Sequence, residues 1–234
     1  ISLSVTAGNT TDRTILLPRV RLEYYLINTG STVTALADAD IRSAMGIGIN
    51  RQEILDANSS TDASAFSLIG SAVQHDGLTG LSTITESTTE AETLLSGKTA
   101  FDFGLVYNEL TPDDDTDTEI HGVYATEFKS QVEALSAIGT VTLAGKGWSA
   151  YLDDRVNYNF DVARAGWSLD ANKILNYLVL LADQSDYSST TFDTLVSEAE
   201  SALSNDDLAA HASKLVEIHD HLLDQMVVIP VYWK

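Results

Sequence analysis

The sequence predicts a single α/β lobe, a mixed sheet flanked by helices, and three observations carry that prediction. Runs rich in β-branched and aromatic residues at 22–29, 160–167 and 227–233 read as strands packed into a sheet. Tyr124, Phe128, Val132, Leu135 and Ile138 recur at spacings of four, four, three and three, which marks one buried face of a helix over 122–138. Gly139 is read as its stop, and the next residues, 140–143, read as a strand. A helix between strands implies a crossover, and hence a partly parallel sheet.

Taken in order, residues 1–15 are polar and show no periodicity, so they read as a lead-in or hinge remnant before a lobe spanning 16–234. The first strand follows at 16–28 with Tyr24 and Tyr25 side by side. Asp38 or Asp40 can cap the next helix, and Asn50 with Glu53 three residues on forms a capping box for the turn after it. Arg42 and Arg51 on this stretch read as partners of acids inside the lobe, with ligand contact as the rival. The stretch 59–83, rich in Ser, Thr, Ala and Gly, reads as irregular, with His75 as a loop residue.

Ser87 and Glu90 make a second capping box ahead of a short helix that Gly97 ends, and 100–107 follows as a strand. The acidic run 111–119 superficially matches a calcium loop but lacks the sixth-position Gly and the terminal Glu of that pattern, so it reads as a solvated turn. Phe192, Leu195, Val196, Ala199 and Leu203 trace another helix, and Ser204-Asn-Asp-Asp207 restarts a last one carrying His211, His219 and His221. His219 and His221 are two apart, so they diverge around the axis and do not share a metal. Pro230 marks an edge position or a strand end in the closing run.

Composition excludes several functions. With 13 basic and 34 acidic residues the net charge is −21, which repels nucleic-acid backbones and anionic lipid surfaces; its simplest role is solubility. No cysteine is present, so disulfides, thiolate metal sites and a Cys nucleophile are ruled out. The longest apolar run, 174–182, is interrupted by Asn176 and falls well short of the ~20 residues that cross a bilayer.

The stretch 148–178 concentrates the residues that bind ligands. Trp148, Trp167, Arg155 and Arg164 crowd it in a chain with 3 Trp, and Gly166 permits close approach of another backbone. Asp170 falls on the loop leaving the strand, at the end where open α/β sheets place their ligands. An Asp before a helix is also an ordinary N-cap, so that reading stays open.

The runs W-S-A-Y-L-D-D-R (148–155) and F-D-V-A-R-A-G-W-S-L-D (160–170), with the strand at 22–29, the helix at 38–55 and the closing strand V-V-I-P-V-Y-W (227–233), occur in an order that resembles the second lobe of oligopeptide-binding proteins, the extracytoplasmic receptors of peptide ABC importers in the family-5 solute-binding class. The likeness spans 16–234 and implies one lobe of a type II periplasmic-binding-protein-like fold. It implies a binding protein rather than an enzyme, with no cofactor, acting as a monomer on extended peptides. The resemblance also implies permease subunits in the membrane as partners, an extracytoplasmic location with a lipid anchor, and a first lobe and targeting segment ahead of Ile1.

By the same resemblance Asp170 pairs with the ligand's α-amine, and the backbone at Gly166, Trp167 and Ser168 lies alongside the peptide as an added strand. Trp148 and Trp167 line side-chain pockets, and Arg155 and Arg164 meet a carboxylate near the ligand's distal end. The chain departs from the family after Asp170: Ala171-Asn172-Lys173-Ile174 lacks the usual Tyr and Pro, and Lys173 adds a cation nearby. Alternatives within the class are receptors for nickel, haem, dipeptides or oligosaccharides. A remoter one is a hydrolase using Asp153, Asp154 or Asp161, for which no G-x-S-x-G, H-E-x-x-H or Gly-rich phosphate loop is present.

Overall fold

The computed structural model describes residues 2–5, 13–16, 21–70, 78–109, 119–169 and 173–234. Its centre is a mixed sheet of six strands in the order β4-β8-β3-β7-β5-β6, formed by β3 (Arg21–Ile27), β4 (Ala63–Ser64), β5 (Phe101–Asn108), β6 (Ile138–Lys146), β7 (Val162–Ser168) and β8 (Val228–Trp233). The helix α4 (Glu119–Glu133) crosses between β5 and β6, which run parallel, and β5 is also parallel to β7. That is the crossover expected from the helical period at 124–138 followed by a strand. β3 is antiparallel to both its neighbours, so β7 and β8 point the same way.

Why β3 sits at the centre follows from its composition. Six of its seven residues are buried, Leu22, Tyr24 and Leu26 on one face and Glu23, Tyr25 and Ile27 on the other, and a strand covered on both faces needs apolar side chains on both. Tyr25 packs on Phe128 of α4 at 4.2 Å between ring centroids. The opposite face is covered with help from α6 (Ile174–Gln184), whose Gln184 accepts from the Tyr24 hydroxyl at 3.3 Å.

The predicted caps form, but neither capping box closes its return bond: the Asn50 amide donates to Gln131 and the Ser87 amide to the Ile47 carbonyl. Asp38 caps α1 (Ala39–Ile47) by accepting from the Asp40 amide, Asn50 caps α2 (Arg51–Asp56) by accepting from Gln52 and Glu53, and Ser87 caps α3 (Thr88–Leu95) by accepting from Glu90. Asp207 caps α8 (Leu208–Asp224), which pairs with α7 (Thr190–Ser204). Arg51 is fully buried; it donates to the carbonyls of Pro230 (2.8 Å) and Gly46 (3.0 Å) and to Glu86 (3.1 Å), joining β8, α1 and the loop before α3. Arg42 likewise donates to the Gln225 and Leu36 carbonyls.

Four details differ from the expectations. The lead-in contains a hairpin, β1 (Ser2–Val5) antiparallel to β2 (Arg13–Leu16), because the polar run Ser2-Leu3-Ser4-Val5 does alternate with period two. The predicted strand at 16–28 therefore divides between β2 and β3. Helix α4 ends at Glu133 and Gly139 belongs to β6: Leu135 and Ile138 are apolar because the turn and the strand start also face the core. Pro230 stands inside β8 at a register shift opposite Tyr24, where β4 pairs only with Tyr232 and Trp233 and so leaves its outer side without a ladder partner among the described residues. His75 and the acidic run at 111–118 lie outside the described residues.

Candidate functional site

The strand directions bring the carboxyl ends of β5, β6, β7 and β8 to one end of the sheet, together with the start of β3. This is where open α/β sheets bind ligands. β7 pairs with β3 over its whole length, Val162 to Ser168, but with β5 only at Val162 and Ala163. From Arg164 to Ser168 the edge away from β3 therefore has no strand partner among the described residues. That stretch can take an added strand.

The expected site residues separate into two groups. Gly166, Trp167 and Ser168 form the end of β7, with Trp167 44% exposed. Trp148, 53% exposed, opens α5 (Trp148–Val156) and packs on Tyr151 at 5.6 Å. The Tyr151 hydroxyl donates to the Arg164 carbonyl, so the first turn of α5 is tied to the open edge of β7. Indole rings half in water on a folded surface are ready contact area.

The two arginines are held by the protein itself. Arg155 donates to Gln184 Oε1 (2.7 Å) and the Tyr151 hydroxyl (3.2 Å), with its guanidinium 5.5 Å from the Tyr151 ring centroid. Arg164 is buried, donates to Asn108 Oδ1 at 3.0 Å and makes a close ion pair with Glu23. The other oxygen of Glu23 accepts from Arg21 Nε at 2.5 Å. Gly166 is needed here: a Cβ on it would stand 2.5 Å from the Glu23 carboxylate. Asp170 lies outside the described residues, with Ala171 and Asn172.

Sequence reasoning missed His121. It sits on the first turn of α4, 8% exposed, and with Glu23, Tyr25, Tyr124, Arg164 and Tyr232 lines a cavity of about 10 Å³. One ring nitrogen donates to the Asn108 backbone, while Nδ1 has no partner among the described residues. Burial, reinforced by the Arg164 charge, pushes the His121 pKa down to about 3, so the ring is neutral. Nothing in its sequence neighbourhood marks it, because its partners come from four other elements, β3, β5, β7 and β8.

The acids of the hydrolase alternative have structural partners. Asp161 accepts from the Gly104 amide (2.8 Å) and the Ser31 hydroxyl, Asp154 pairs with Lys146, and Asp153 accepts from Asn157 (3.1 Å). His219 is fully buried between Ser67 (2.8 Å) and Asp220 (2.7 Å), and His221 bonds Tyr187 (2.9 Å). A wider surface groove of about 810 Å³, lined in part by Asp40, Glu90, Asp220 and Asp224, holds none of the expected site residues.

Sheet order and crossover match the fold of one lobe of type II periplasmic-binding-protein-like solute-binding proteins. The comparisons agree. The periplasmic oligopeptide-binding proteins OppA of Escherichia coli and Salmonella typhimurium are 31% identical over 98 residues and 35% identical over 99, in each case 40% of this chain and 18% of the relative. Among solved structures, the murein tripeptide-binding protein MppA in its unliganded open form (TM-score 0.76, 24% identity) and Haemophilus influenzae OppA in complex with the peptide RPPGFSPFR (TM-score 0.75, 20% identity) share the fold over 92% of this chain and 42% and 43% of theirs. The chain thus spans less than half the length of these proteins, and the likeness to oligopeptide-type solute-binding proteins expected from the sequence holds. No family model matches.

Proposed function

We propose that this chain is the second ligand-binding lobe of a peptide-importing solute-binding protein, and that it presents the end of β7 to the main chain of an extended peptide. The observation that carries this reading is the strand edge from Arg164 to Ser168, without a partner strand among the described residues and beside Trp148 and Trp167 at the carboxyl end of the parallel strands. Main-chain pairing accepts any sequence, and indole faces give contact area without requiring a particular polar group. The relatives named for oligopeptide binding support a peptide as the ligand, and their periplasmic location supports an extracytoplasmic one here.

In this reading a first lobe ahead of residue 1 closes on the β7 edge around the ligand, the open form hinging to the closed. A membrane permease then takes the peptide, and no bond of the ligand is broken. Asp170, two residues past the end of β7, receives the ligand's α-amine in a charge-assisted bond. The test is calorimetric titration of extended peptides into the full-length protein and its Asp170→Ala variant. Affinity at least tenfold weaker in the variant is expected; equal affinity would remove the amine anchor. Stabilisation in a melting assay by nickel or oligosaccharides but by no peptide would replace the peptide reading altogether.

A further inference from the structure

The end of β7 carries a charge arrangement with a consequence for ligand choice. Arg164 is the cation carried by the open segment of β7, and its guanidinium is already engaged by the chain's own Glu23. Glu23 in turn has both carboxylate oxygens occupied, one by Arg164 and the other by Arg21 at 2.5 Å. Its side chain is 4% exposed and its carboxylate lies against Gly166, within the segment that would pair with a ligand. Arg21 is 42% exposed at its side chain, so solvent screens its charge. Beside this pair stands His121, 8% exposed and with Nδ1 unpartnered among the described residues, lining a cavity of about 10 Å³, the space of about one water.

The chemistry of that cavity is fixed by the tautomer. With the other ring nitrogen donating to the Asn108 backbone, Nδ1 carries a lone pair and accepts. A ligand group arriving there meets an acceptor and, behind it, the charge of Glu23. A carboxylate arriving at the same place would bring a second anion next to a buried one, and would find Arg164 taken. A peptide N–H, a terminal amide or a hydroxyl supplies the missing donor directly or through one water.

We propose that Glu23 is an internal counter-ion that stands in for a ligand carboxylate at Arg164, and that Glu23 and His121 together make this end of the site select ligands offering a neutral hydrogen-bond donor over ligands ending there in a free carboxylate. This rests on the peptide reading above and adds specificity to it. Glu23 and His121 are specificity-determining residues, and a peptide passing this point continues rather than terminates, or ends in an uncharged group.

The test uses full-length protein and paired peptides of increasing length, each as the free acid and as the C-terminal amide, titrated by calorimetry at low ionic strength. At the length whose terminus reaches Arg164, wild type binds the amide at least fivefold more tightly than the acid. Glu23→Gln, nearly isosteric and uncharged, frees Arg164 and inverts the ratio in favour of the acid by about tenfold. His121→Phe, which keeps a ring in the cavity and removes the acceptor, brings the ratio close to one, and serves if Glu23→Gln melts too low to titrate. Peptide binding with an acid preference in wild type at every length, or with a ratio unmoved by the variants that fold, overturns this inference alone. Folded wild type that binds neither series overturns the peptide reading and this inference with it.

Discussion

Replacing Trp167 with Ala separates binding from folding at the end of β7. A Trp side chain offers up to about 250 Å² of contact area, and at 44% exposure roughly 110 Å² of it is left for a ligand to cover. At ~25 cal/mol per Å² that area is worth about 2.7 kcal/mol, and side-chain ordering takes back part of it. The expected loss in peptide affinity is therefore between about tenfold and about a hundredfold. The rest of the ring, roughly 140 Å² by the same measure, packs on the protein, so truncation should also cost stability, by up to about 3.5 kcal/mol but without unfolding the lobe. Calorimetry of peptide binding and urea unfolding of the same samples read the two quantities. Unchanged affinity, or an affinity loss matched by a collapse in stability, would refute the assignment of Trp167 to the ligand face.

Two further outcomes follow from the buried charges. Arg51→Ala leaves the Pro230 and Gly46 carbonyls and part of Glu86 without their donor inside the core, and should destabilise the lobe by about 3–5 kcal/mol with no selective effect on peptide contacts; a loss under about 1 kcal/mol in urea unfolding would contradict the clamp. Acid should weaken the fold through its buried histidines. Burial lowers the pKa of His121 to about 3, and also lowers those of His219 and His221, from an unfolded value of 6.5. The unfolded chain then binds more protons than the folded one below pH 6.5, so stability is full above that value and declines as pH falls, by up to about 1.4 kcal/mol per pH unit for each histidine. Asp38, held low by its bond from Lys98, contributes only below 3.8. Urea unfolding at pH 7.5 and 5.5 should show the decline, and His121→Phe should reduce it; equal stabilities at the two values would contradict the neutral, buried histidines.

How much was legible in the sequence depended on whether the information was local. Capping by Asn50 and Ser87, the helical period from Tyr124 to Val132 and the strand ending at Trp167 are all written within a few residues, and each formed. Helix α5 was not separated from the stretch around it, since Trp148 and Tyr151 read equally well as strand aromatics. The end of α4 was overrun because turn and strand residues kept facing the same core. The site divided the same way. Trp148, Gly166, Trp167 and Ser168 stand in motifs, whereas the pairing of Arg164 with Glu23 joins residues 141 apart in the chain and depends on the register of β3 against β7. His121 acquires its meaning only from Asn108 and Arg164, contributed by β5 and β7.

If β7 is the strand that a peptide extends, amide hydrogen exchange on the full-length protein reads it directly. With saturating peptide, alternate amides between Arg164 and Ser168 should gain protection, because successive N–H groups of a strand point to opposite edges and half of them face the open one. Amides of α8 should be unaffected. A peptide that binds while every amide from Arg164 to Ser168 exchanges as in the free protein would contradict the central claim.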